Sequence, residues 1–196
     1  MIADNRDELV AWLRGLDACY PAIFWAKSLP LDHGLNRAWA ICDRSDWMLW
    51  LTKHLDIHHF VLRRIACDFA RSVLYLVAAG EERPRLAIET AERFVGGSST
   101  LEELKAASSA AGCAVKAASS QAARSVAYAA LHASTTYGGP SRSKLTVAAV
   151  SFAAFDHAAA ADRAARSRAD AWDAAWDAHA NIIRRRTAGL TIGRRT

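Results

Sequence analysis

Residues 143–186 contain neither glycine nor proline, and this absence constrains the fold more than any other feature of the chain. At 1.5 Å per residue the stretch would reach roughly 65 Å as one helix. That exceeds what a compact domain of 196 residues uses. Either the helix is broken, or it pairs with 100–137 as a projecting antiparallel hairpin. Only four prolines interrupt the whole sequence, and 43 of its residues are alanine, the best helix former. No alternating β-branched run long enough for a strand occurs. The expectation is an all-α fold with no sheet, a compact N-terminal helical head carrying long Ala-rich antiparallel helices.

The texture changes at Gly96 and Gly97. Five of the seven tryptophans and three of the four prolines precede the pair, whereas 30 of the alanines lie after residue 100. Residues 1–97 therefore read as a Trp-rich compact region. Residues 98–196 read as an Ala-rich helical region with a basic tail, and the length suits one cooperative domain for both. In the head, Asp4 is placed to cap a helix ending at Gly15, and Asp43 or Ser45 to cap one carrying Trp47, Trp50 and Leu51. Asp56 is placed to start a longer helix whose apolar period runs from Phe60 to Val77 and stops at Gly80. Glu81 and Glu82 set acids at the next helix start, with Pro84 in the first turn, where a missing N–H costs nothing. Thr100 and Glu103 form a capping box. The stretch 100–137 would be one helix or two, because Gly112 and two serine pairs weaken it without forbidding it.

Charge excludes one class. The net charge is +5, yet residues 182–196 hold Arg184, Arg185, Arg186, Arg194 and Arg195 with no acid, so the body of the chain is neutral. A globular surface built to grip nucleic acid is not implied. Asp4, Asp7 and Glu8 stand where a secretory signal would be basic and then apolar, and no apolar run is long enough to span a membrane. A soluble cytoplasmic protein is expected. Cys19, Cys42, Cys67 and Cys113 are too widely spaced for a zinc ribbon and read as ordinary free thiols.

Three constellations bear chemistry-capable residues. His54, His58 and His59 surround Asp56, and two histidines four apart would share a helix face able to hold Zn²⁺. A third ligand would have to come from His33 or from Asp156 and His157, and the general-base Glu of an H-E-x-x-H motif is missing. The histidines read first as surface and cap residues, with no metal and no cofactor. Asp170, Asp173, Asp177 and His179 form an acid ladder, but Arg163, Arg166 and Arg168 on the same helix make surface ion pairs the simpler reading. Trp172 and Trp176 read as core or as interface anchors. Arg184, Arg185 and Arg186 complement a helix C-terminus, or would contact phosphates or an acidic protein face. No nucleophile elbow or phosphate-loop motif is present, so no catalytic residue is assigned.

Three stretches carry a resemblance: CDRSDWMLWL at 42–51, ACDFA at 66–70 and ERPRLAIETAERF at 82–94, followed by an Ala-rich tail. Together they resemble a family of immunity proteins that is also met in phage genomes, over about residues 42–135. The R-P-x-x-A-I-E-x-A pattern at 83–91 is the most specific element. The resemblance implies a helical, non-enzymatic protein that neutralises another protein by binding it, and it supplies no catalytic residues. Among the matching positions, Asp46, Trp47, Arg83, Pro84 and Glu89 read as structural, through helix starts and ion pairs. The neutral body departs from the acidic surface by which nuclease inhibitors often mimic DNA.

The functional expectation is a protein that binds and inhibits another protein. It would be either immunity against a toxin or a phage-encoded inhibitor of bacterial defence of the anti-CRISPR type. Trp172, Trp176, Arg184, Arg185 and Arg186 are the candidate contacts. The alternative is nucleic-acid binding through the Arg-rich C-terminus. Ala-rich helices with few large residues can also bury a face against a second copy, which makes a homodimer a further expectation.

Overall fold

The computed structural model describes residues 3–118, 121–134 and 168–190. Its elements are α1 (Arg6–Gly15), α2 (Tyr20–Ser28), α3 (Leu35–Ile41), α4 (Ser45–Leu51), α5 (His59–Ser72), α6 (Arg83–Val95), α7 (Leu101–Ala117), α8 (Gln121–Ser134) and α9 (Arg168–Thr187). Short 3-10 turns follow α4 and α5 at Thr52–His54 and Leu74–Leu76. No strand occurs among the described residues, and the chain is all-α as its composition requires.

Several helix starts differ from those expected. The cap of α1 is Asn5, not Asp4. Its side chain accepts from the Glu8 backbone N–H at 2.9 Å, while the Glu8 carboxylate reaches back to the Asp4 N–H at 2.9 Å. The Asn5 side-chain amide also donates to the Glu8 carboxylate at 3.0 Å, which fixes the cap three residues before Glu8. The residue before α4 is Arg44, which makes no capping bond. Its guanidinium instead chelates Asp46 at 2.9 and 2.7 Å. At α5 the cap is His58, whose Nδ1 accepts from the Phe60 N–H at 3.3 Å, so Asp56 lies outside the helix.

The helix expected to reach Gly80 stops at Ser72. The Ser72 hydroxyl donates to the Phe69 carbonyl at 2.7 Å, the local competition that weakens a helix end, and Val73 leaves helical geometry at φ −112° and ψ 5°. Val73 nevertheless remains fully buried. The apolar period beyond Ser72 therefore marks core-facing positions of a turn rather than of a helix. Downstream, Pro84 sits in the first turn of α6 and the Thr100–Glu103 capping box opens α7 as expected. Of the stretch 100–137, the described residues form two helices, α7 and α8, with Ala118 after the first turning extended at φ −64° and ψ 124°. Residues 143–167 lie outside the described set, so the expected continuity of the long Gly- and Pro-free stretch and its pairing as a hairpin fall there, and α9 is its described part.

Among the described residues, two main cores and a small cluster of Ala114, Val115 and Ala127 hold the fold. The larger joins Leu9, Leu35, Trp39, Met48, Leu55, Ile65 and Phe69 from α1 to α5 with Val126 of α8 and Ala180, Ile182 and Ile183 of α9. The second lies among α5 to α8, and eight of its eleven buried residues are alanine. A buried Leu contributes about 1.5–3 kcal/mol and one methyl group nearer 0.8, so this second core gains stability through close approach of helix backbones rather than through large side chains. Described helices from both sides of Gly97 thus share the larger core, and α9 docks on α4 and α5.

Candidate partner-binding surface

The three consecutive arginines at the end of α9 face three different environments. Arg184 turns inward, donating to the carbonyl of Cys42 and to Asn181 Oδ1 at 2.6 Å. Arg186 crosses to α5 and grips Asp68 through Nε at 2.6 Å and Nη2 at 2.8 Å, a pairing that holds its guanidinium proton more firmly than usual. Arg185 is exposed and makes no ion pair among the described residues. A helix turns 100° per residue, so the three arginines leave it in three directions, and only the neighbours Arg185 and Arg186 border the same groove. Only one of the three presents an uncommitted charge.

Below them, Trp39 of α3 donates its indole N–H to the Thr187 hydroxyl at 3.0 Å, which in turn bonds the Ile183 carbonyl at 2.9 Å. Trp176 stands half-buried with its ring 5.8 Å from the Arg44 guanidinium, which also lies 4.6 Å over Trp47. Trp47 packs at 5.9 Å on Trp25. Arg44 is therefore chelated by Asp46 and sandwiched between aromatic rings of α4 and α9, an arrangement that fastens the last helix to the head. The Trp172 side chain lies outside the described set.

Asp46, Trp47, Arg83, Pro84 and Glu89 sit among structural contacts. Arg83 pairs with Glu81, lowering the Glu81 pKa chiefly through the side-chain hydrogen bond. Pro84 is buried, and Glu89 pairs with Arg85 at 2.6 Å one helical turn away.

The other constellations do not converge. His54 closes a 3-10 turn with its ring 5.1 Å from Trp50, whereas His58 caps α5 and stacks 4.3 Å from His59. Among the described residues, no three His, Cys, Asp or Glu side chains gather as a metal site. In the acid ladder, Asp177 is exposed and reaches Asn181 and Arg184, while His179 is fully buried edge-on to Phe69 at 4.5 Å. Two residues apart on a helix, they point to opposite sides. The side chains of Asp170 and Asp173, like His157 and Arg163, lie outside the described set. The thiols of Cys42 and Cys67 are buried, and burial pushes them up to about 11 and about 12, so both stay protonated and inert near neutrality. Cys19 and Cys113 are exposed free thiols.

Among the described residues, the surface features of this arrangement include two grooves along α9 and an aromatic pair. Asp68, Arg71, Ser72, Ile182, Arg185 and Arg186 line a groove of about 500 Å³ between α5 and α9. A second, of about 440 Å³, lies between α3 and the end of α9 beside Trp39 and Leu190. On α2, Tyr20 and Phe24 stack at 6.2 Å and are both well exposed. Sequence reading finds the arginines of the first groove but not Asp68 or Arg71, because nothing local ties them to residues more than a hundred positions away.

Residues 54–139 match the family model described as Imm-5 like putative immunity protein. No curated protein and no solved structure matches the chain. The matched segment covers less than half the sequence and spans α5 to α8, the Ala-rich four-helix core, including the 83–91 pattern. It begins after Asp46 and Trp47. Its α5 supplies Asp68, Arg71 and Ser72 to the first groove, while Ile182, Arg185 and Arg186 come from α9, beyond the segment's end. No helix among the described residues is long and apolar enough to cross a membrane.

Proposed function

We propose that this protein is a non-enzymatic immunity protein that binds a protein toxin, or a component of a bacterial defence system, and inhibits it. The observation that carries the reading is the immunity-protein match over the helices that form the Ala-rich core. The side chains left available support it, since exposed aromatic residues and arginine dominate interface energetics. Tyr20, Phe24 and Arg185 are of these types. The engagement of Arg184 and Arg186 in internal contacts favours a protein over a nucleic-acid partner, because phosphate tracking draws on several uncommitted cations at once.

The test is purification of the tagged protein from its native host, with mass spectrometry and light scattering on the eluate. A one-to-one complex with a single protein whose toxicity or defence activity falls on binding is the expected result. Recovery of no stoichiometric protein partner overturns the reading. A gel shift with salt-sensitive affinity lost on deletion of residues 182–196 would establish nucleic-acid binding in its place.

A further inference from the structure

The groove between α5 and α9 has an uneven charge balance. Arg71, Arg185 and Arg186 line it with Asp68, and one helix further over Glu92 completes the network. Three guanidinium groups thus meet two carboxylates. Asp68 takes Nε and Nη2 of Arg186, and Glu92 takes Nε and Nη2 of Arg71 at 3.1 and 2.6 Å. A guanidinium carries five N–H donors in a rigid fork. Each two-pronged pair therefore leaves the Nη1 group of Arg71 and of Arg186 without an acceptor among the described residues, and Arg185 keeps its entire fork.

Geometry adds to the charge. Arg71 and Arg186 are already held by their ion pairs, so a ligand that meets them costs little further side-chain entropy. Ile182, 8% exposed, gives the groove an apolar wall that strengthens polar contacts made beside it. The cleft also lies where the segment matched by the family model meets a helix outside it, so one wall belongs to the match and the other lies beyond it.

We propose that this groove seats a carboxylate, an Asp or Glu side chain on an exposed acidic segment of the protein partner. Arg185 is the principal contact, and Arg71 and Arg186 are flanking donors fixed in advance. A phosphate backbone fits less well, because Asp68 and Glu92 would face the same polyanion and only one cation is uncommitted. The inference rests on the protein-binding reading and names the chemistry of the partner's contact.

A short fluorescein-labelled peptide rich in glutamate is the probe, compared with the same peptide carrying glutamine and with single-stranded DNA of similar length, by fluorescence anisotropy at low salt. The glutamate peptide is expected to bind and the glutamine version not. Arg185→Glu weakens binding roughly tenfold or more, as reversal of a complementary charge does, whereas Arg14→Glu at the exposed end of α1 leaves it unchanged. Should Arg185→Glu fold poorly by circular dichroism, the arginine Nε–Hε resonances of the native protein decide, with those of Arg71, Arg185 and Arg186 expected to shift on titration with the peptide. Equal binding of both peptides, no loss in Arg185→Glu, unmoved arginine resonances, or tighter binding to the DNA overturns the proposal. None of these results bears on recovery of a stoichiometric protein partner, so failure of the groove and failure of the protein-binding reading remain distinguishable.

Discussion

At the scale of single residues, Gly34 and His132 carry the clearest consequences. A Cβ on Gly34 would fall on the Ala3 carbonyl oxygen and on the Asp4 backbone, and the neighbouring Leu35 N–H donates to that same Ala3 carbonyl at 2.8 Å. The chain can pass there only without a side chain. Gly34→Ala is expected to destabilise by about 1–3 kcal/mol through overpacking against backbone that cannot rotate away, measured by urea unfolding. An unchanged midpoint would refute the close approach. His132 is part-buried near Tyr128, and burial pushes its imidazole below the ordinary value of 6.5. The unfolded chain then binds a proton that the folded one resists, so this group's contribution to stability is present above about pH 6.5 and lost as pH falls below it. Melting temperatures of His132→Gln should fall less steeply on acidification than those of the native protein, and parallel curves would count against the assignment. The role of Gly34 is not legible in the sequence, because a lone glycine between Asp32-His33 and a helix reads as punctuation. Its constraint comes from a strand of backbone thirty residues away.

At the scale of elements, helices were legible wherever a local signal closes on itself. The capping box of α7 and the proline of α6 need only neighbours within three residues. Thr100→Ala should therefore cost about 1 kcal/mol, the usual loss of a cap, with the effect confined to hydrogen exchange in the first turns of α7. Where a boundary depends on competition, the pattern misleads. The run from Phe60 to Val77 keeps its apolar period, but the Ser72 hydroxyl and the geometry of Val73 end the helix early while leaving Val73 buried and Leu74 and Val77 half-buried against the core. The docking of α9 follows the same logic. Its apolar residues are visible, but their destination between α4 and α5 is set by Phe69, Trp39 and Arg44, which the sequence leaves more than a hundred positions away. Ile183→Ala removes a fully buried side chain at that junction and should cost about 3 kcal/mol. A loss below about 1 kcal/mol would mean that α9 is held by its ion pairs instead. The candidate site was half legible on this account: the arginines stand out as a cluster, but which of them remains uncommitted depends on Asp68 and Cys42.

At the scale of the whole molecule, the segment matched by the family model and the helices around it share surfaces that neither can cover alone. Ile65 and Phe69 lie on α5, inside the segment, yet they are buried in the core built with the head and α9. Residues 54–139 expressed by themselves should bind the dye anilinonaphthalene sulfonate and lack a sharp thermal transition. The full chain is expected to melt in one cooperative step. A cooperative melt of the isolated segment would show that the Ala-rich core stands on its own. The hydrogen bond from Trp39 to Thr187 joins residues 148 positions apart, and this separation also acts in time. At a synthesis rate of roughly 5–20 residues per second, about 7–30 s pass between the two residues on the ribosome. Until α9 is made, the indole N–H of Trp39 and, once synthesised, the surface of Phe69 that meets His179 lack their α9 partners. A nascent chain with its tryptophan-rich half already outside the exit tunnel is therefore a natural client for chaperones that hold exposed apolar segments, and its packed form becomes available only once α9 has been made.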